Sequence, residues 1–147
     1  MKHPLVLALA VTLLAGVLAG CGSEQDAYCD AVTDHQQELS DIVGGGEPDA
    51  LLQALDAFHD LEDTAPSDIA DEWQQVVSSV EGLQEALDDA GVDPATYDRS
   101  RPPAGLTDEQ RKAIDAAASR LGSAETAQAL QDLDQQARDV CHTPLTL

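Results

Sequence analysis

SDIADEWQQVVSSVEGLQEALDDAG, residues 67–91, carries the plainest pattern in the chain. Ile69, Trp73, Val76, Val80, Leu83 and Leu87 follow one another at alternating steps of four and three. That spacing places all six on one face of a helix. Ser67 is expected to cap its start, and Gly91 to stop it. A helix with one apolar stripe needs a partner surface, so the neighbouring segments must supply stripes of their own.

They do. Upstream, Pro66 ends a helix that Pro48 opens, with Leu51, Leu52, Leu55, Phe58 and Leu61 on its inner side. Before it, Gly44-Gly45-Gly46 stops a first helix whose seam is Tyr28, Val32, His35, Leu39 and Ile42. Ser23, followed three residues later by Asp26, reads as the N-cap of that helix. Downstream, Val92 to Leu106 is the one long irregular stretch, with Pro94, Pro102, Pro103 and Gly105. Thr107 and Gln110 then form a capping-box pattern for a helix bearing Ile114, Ala117 and Leu121. Gly122-Ser123 marks a break or a kink, and a last helix carries Leu130, Leu133, Ala137 and Val140 before Cys141 and Pro144. No stretch alternates with period two. The expected fold is all-α, a small up-and-down bundle of four to five helices.

The composition narrows what such a bundle can do. Seven basic residues stand against 28 acidic ones, for a net charge of −21. A surface this acidic is unsuited to nucleic acid or to anionic headgroups. Core material is thin: Leu, Ile, Val and Phe make up 24 of the 127 residues after Gly20. Periodic placement and abundant alanine still favour a folded helical domain.

Residues 1–20 differ from everything that follows. Met1-Lys2-His3 is short and basic, and Leu5 to Leu18 is uncharged and too short for the roughly 20 residues that a spanning helix needs. Leu18-Ala19-Gly20-Cys21 resembles the lipobox of bacterial lipoproteins. The resemblance implies a signal peptide over 1–20, cut between Gly20 and Cys21, with a lipid on the Cys21 thiol. Several acyl chains on one residue anchor stably where one chain does not. The expected layout is then a lipidated Cys21 with Gly22-Ser23 as a short spacer, and an acidic helical domain over residues 24–147 on the extracytoplasmic face of a cell membrane.

With Cys21 assigned to lipid, Cys29 and Cys141 remain as an even pair. In an exported chain they are expected to form a disulfide tying the first helix to the last. A redox or metal role for them lacks a C-x-x-C motif. Tyr28-Cys29-Asp30, Ala65-Pro66-Ser67-Asp68-Ile69-Ala70 with Trp73, and Cys141 together resemble small helical lipoproteins and secreted proteins of high-GC Gram-positive bacteria. That likeness implies a fold and no activity.

No metalloprotease, hydrolase, P-loop or dinucleotide motif is present, and the expectation is of no catalytic residues, cofactor or dedicated metal site. His35 with Glu38, and Asp56 with His59, have the i, i+3 spacing that bundles use for metals, but without the remaining ligands of a di-metal set. His35 reads better as a partly buried seam residue. Tyr97, Arg99 and Arg101 form the least acidic patch and lie in the long loop, with Arg111 and Lys112 close behind in sequence. They are the candidate contact site for a partner or ligand, or else they pair with nearby carboxylates. The expected function is a membrane-anchored, non-enzymatic helical module contacting another envelope protein. The alternative is a lipoprotein that binds a small solute or a divalent cation.

Overall fold

The structure is a computed structural model that describes residues 21–146. The signal-peptide reading of residues 1–20 and the lipidated side chain of Cys21 lie outside the described residues. Among those described, all regular structure is helical: α1 Cys21–Gly45, α2 Ala50–Gln53, α3 Leu55–Thr64, α4 Ala70–Ala90, α5 Asp108–Leu121 and α6 Ala124–Gln136. A π-helical turn, Ala137–Cys141, follows α6 directly. The segments α2 and α3 are one rod interrupted at Ala54, whose carbonyl still accepts the Phe58 N–H at 2.9 Å. Counted as rods, the bundle has the five helices that the sequence allows.

The helix read from residues 67–91 is the central rod. α4 packs against α2, α3, α5 and α6, while α1 packs against α2, α3 and the π turn. Trp73, Val76 and Val80 are fully buried, and Ile69 and Leu87 nearly so. Gly91 ends α4 at φ 65°, a left-handed conformation suited to glycine, and the Gly91 and Val92 N–H groups turn back onto Asp88 and Leu87 carbonyls.

Three of the chain's four aromatic residues meet at the centre of the core. The Trp73 ring stands edge-on to Tyr28 at 6.5 Å between centroids and tilted against Phe58 at 5.8 Å. Indole Nε1–H donates to the Tyr28 hydroxyl at 3.2 Å, so the two polar atoms satisfy each other out of water.

The Cys29–Cys141 disulfide joins α1 to the π turn, with Cα atoms 5.1 Å apart. Beyond it His142 adopts a left-handed backbone, φ 56°, and reverses the chain. The tail then lies back on the bundle. Gln36 Nε2–H donates to the Pro144 carbonyl at 2.9 Å, the Leu145 N–H donates to Asp134 Oδ1 at 3.1 Å, and Leu145 itself is buried.

Two caps differ from expectation. Ser67 caps nothing: the chain turns from Pro66 to Ile69, whose N–H meets the Pro66 carbonyl at 3.1 Å, and α4 begins only at Ala70. Ile69, at φ −126°, is the N-cap residue of α4 and has no side-chain cap, and its side chain is buried. At the other end α1 already includes Gly22 and Ser23, so the expected spacer is helical rather than extended and Ser23 is not an N-cap. The Thr107–Gln110 capping box is present in both directions.

Among the described residues, Ser79 and Thr126 are the buried polar side chains, and their oxygens lie 3.2 Å apart between α4 and α6. Gln75 Nε2–H donates to both, and Thr126 Oγ1–H donates to the Arg120 carbonyl at 3.0 Å, which pins the α5–α6 corner. Thr126→Val keeps the shape and removes the hydroxyl, and with it the contacts to Gln75, Ser79 and the Arg120 carbonyl. Its expected cost is about 1–3 kcal/mol in urea unfolding, against about 0.5 kcal/mol or less for a substitution at exposed Ser78.

Candidate functional site

A groove in which apolar walls meet charged groups lies between α2, α4 and α5. α2 contributes Leu51 and Leu52, α4 contributes Leu83 and Leu87, and α5 contributes Ile114 and Leu121; together they enclose about 400 Å³. The reason lies in the lengths of the elements. α2 has only four residues and none of them is buried, so it caps the apolar end of α4 without filling the space between α4 and α5. Pro94, Tyr97 and Arg99 reach in from the long loop, and Glu47, Pro48 and Asp49 from the α1–α2 connection.

The loop itself is built from two Asx turns. Asp93 accepts the Ala95 N–H at 2.9 Å, and Asp98 accepts the Ser100 N–H at 2.8 Å. The Ser100 N–H and the Arg101 side chain hold the Asp98 carboxyl below the usual carboxylate range.

The candidate patch is therefore divided. Tyr97 and Arg99 line the groove, whereas Arg101 points into solvent and is held by Asp98 at 3.0 Å. Arg99 Nε is paired with Asp115 at 2.7 Å, and Arg111 is paired with Asp108. The reading in which these cations pair with nearby carboxylates holds for all three arginines. Sequence reasoning missed Leu51, Leu52, Leu83 and Leu121 as groove residues. Their spacing identifies an inward face, and only their half-burial in the folded chain shows that the face is incompletely covered.

The histidines are placed differently from the sequence pairs. His35 contacts Glu38 at 3.3 Å, as the i, i+3 spacing suggests, and also Asp60 on α3 at 3.2 Å. His59 does not pair with Asp56; its Nε2 lies 3.0 Å from Glu81 on α4, because the ring crosses to the neighbouring helix. His59, Asp56 and Glu81 line an acidic furrow between α3 and α4. Among the described residues, no three His, Cys, Asp or Glu side chains converge as a set able to hold a metal ion. Among the same residues no helix is long and apolar enough to cross a membrane.

No protein family, curated protein or solved structure matches the chain.

Proposed function

We propose that this chain is a membrane-anchored extracytoplasmic lipoprotein, a non-enzymatic helical module that contacts another envelope protein. The observation that carries the reading is cysteine usage. Of the three cysteines, Cys29 and Cys141 are consumed by a disulfide, which suits an oxidising compartment and leaves Cys21, in its lipobox-like setting, for lipid. α1 spans Cys21–Gly45, 25 residues, a rod of roughly 37 Å at 1.5 Å per residue. The groove begins just past its far end, so an anchor at Cys21 presents the groove away from the membrane rather than against it.

Labelling of expressing cells with an alkyne fatty acid tests the anchor. The expected result is a labelled protein in the membrane fraction, and loss of both label and membrane association in Cys21→Ser. Membrane association retained by that variant, or a mature N-terminus elsewhere, overturns the reading. In-cell crosslinking from the groove end then tests the partner, with one dominant neighbour expected.

The second reading, binding of a small solute or a divalent cation, is favoured in its solute half by the 400 Å³ groove, a volume within the usual range for ligand sites of about 300–1,000 Å³.

A further inference from the structure

Two carboxylates, Glu47 and Asp49, and a single cation, Arg99, line the groove. Arg99 is already engaged by Asp115 at 2.7 Å, so that pair brings no net charge. Among the described residues, the Asp49 carboxylate accepts only from the neutral amide of Gln53, at 3.0 Å, and exposed Glu47 makes no ion pair, so neither charge is compensated. The interior between these groups is aliphatic. An apolar cavity with a negative mouth, in a chain of net charge −21, disfavours fatty acids and other anionic amphiphiles.

We propose that the groove binds a small organic cation with an apolar body, such as a protonated or quaternary amine carrying an alkyl chain. This deepens the solute-binding reading and rests on it; it does not depend on the lipid anchor. The apolar part lies along Leu52, Leu83, Leu87 and Ile114, where burial drives association. The cationic end meets Glu47 and Asp49, the two lining carboxylates.

The test uses three probes of one chain length, decyltrimethylammonium, 1-decanol and decanoate, all below their aggregation limits. About 0.15 M salt suppresses general attraction to the acidic surface. Calorimetric titration of the folded chain is expected to give one saturable site for the cation, roughly tenfold tighter than for the alcohol, with decanoate weakest. Glu47→Gln combined with Asp49→Asn is expected to bring the cation to the level of the alcohol and leave the alcohol unchanged. Both residues lie outside the core, so this variant folds, which circular dichroism checks. Ala118 of α5 also lines the groove, and Ala118→Leu, which narrows it, is expected to weaken all three probes. If no probe saturates, the solute-binding reading itself falls. If decanoate or decanol binds as tightly as the cation, the groove takes ligands but the charge assignment is wrong. Cation binding that is indifferent to the double variant places the site elsewhere on the acidic surface and overturns the proposal.

Discussion

Reduction of the Cys29–Cys141 bridge lowers the unfolding free energy by up to about 4–5 kcal/mol. The two cysteines are 112 residues apart, so the bridge closes nearly the whole described chain. In the loop-entropy account a closure of that length removes about that much conformational freedom from the unfolded state. For small domains the entire stability is about 5–15 kcal/mol. With only 24 Leu, Ile, Val and Phe among the 127 residues after Gly20, this chain has little else to draw on. Urea unfolding with and without reductant, together with Cys29→Ser/Cys141→Ser, measures the loss. Hydrogen exchange shows where it falls. Residues 137–146 are held by the bridge, by Leu145 and by two tail hydrogen bonds, so their amides are expected to lose protection first. The groove, built on α2, α4 and α5, is expected to persist. A midpoint that reductant leaves unmoved sinks the expectation.

What could be read in advance depended on whether a residue's role is set within its own helix. Ile69 to Leu87 identify the central rod because steps of three and four are a property of one segment, and Gly46, Pro66 and Gly91 punctuate the chain by backbone chemistry alone. The capping box at Thr107 is legible for the same reason, since both partners sit within four residues. Ser79 and Thr126 are different. Each looks like a surface residue until α4 and α6 are brought together, and only then do the hydroxyls satisfy one another. Leu145 follows a proline near the chain's end and reads as tail; it becomes core because His142 takes a left-handed conformation that its residue type seldom adopts. The groove was half legible. Tyr97 and Arg99 stood out as the less acidic part of a long loop, but the wall they complete follows from the shortness of α2. The partnership of Arg99 with Asp115 depends on how that loop lies against α5. Arg101 looks equivalent to Arg99 in sequence and is not, because Asp98 captures it within its own turn.

Replacing Trp73 with alanine removes the largest fully buried side chain and the piece that both Tyr28 and Phe58 pack against. Large-to-small changes of this kind cost about 3–5 kcal/mol, a transfer loss plus the cavity left behind. In a core this thin, the variant is expected to unfold well below the wild-type midpoint or to populate the folded state poorly. Tyr28→Phe is the subtler probe. It preserves ring packing but leaves the Trp73 N–H buried without its acceptor, at a cost of about 1–3 kcal/mol. The two substitutions combined should cost less than their sum, because the second has no bond left to break. The phenol adds a pH signature. Burial raises the Tyr28 pKa from 10.0 to about 12, with the Trp73 hydrogen bond opposing the shift. The folded chain therefore holds this proton more tightly than the unfolded chain does. Its contribution is fully present below pH 10.0 and is lost as pH rises through about 12, a decline on the order of 2 kcal/mol. Alkaline unfolding followed by fluorescence of Trp73, the sole tryptophan, reads this directly. Tyr28→Phe starts less stable at neutral pH but lacks that alkaline decline, so the gap between the two proteins narrows above pH 10.0. Parallel curves across that window mean that the Tyr28 phenol is not what alkali unfolds.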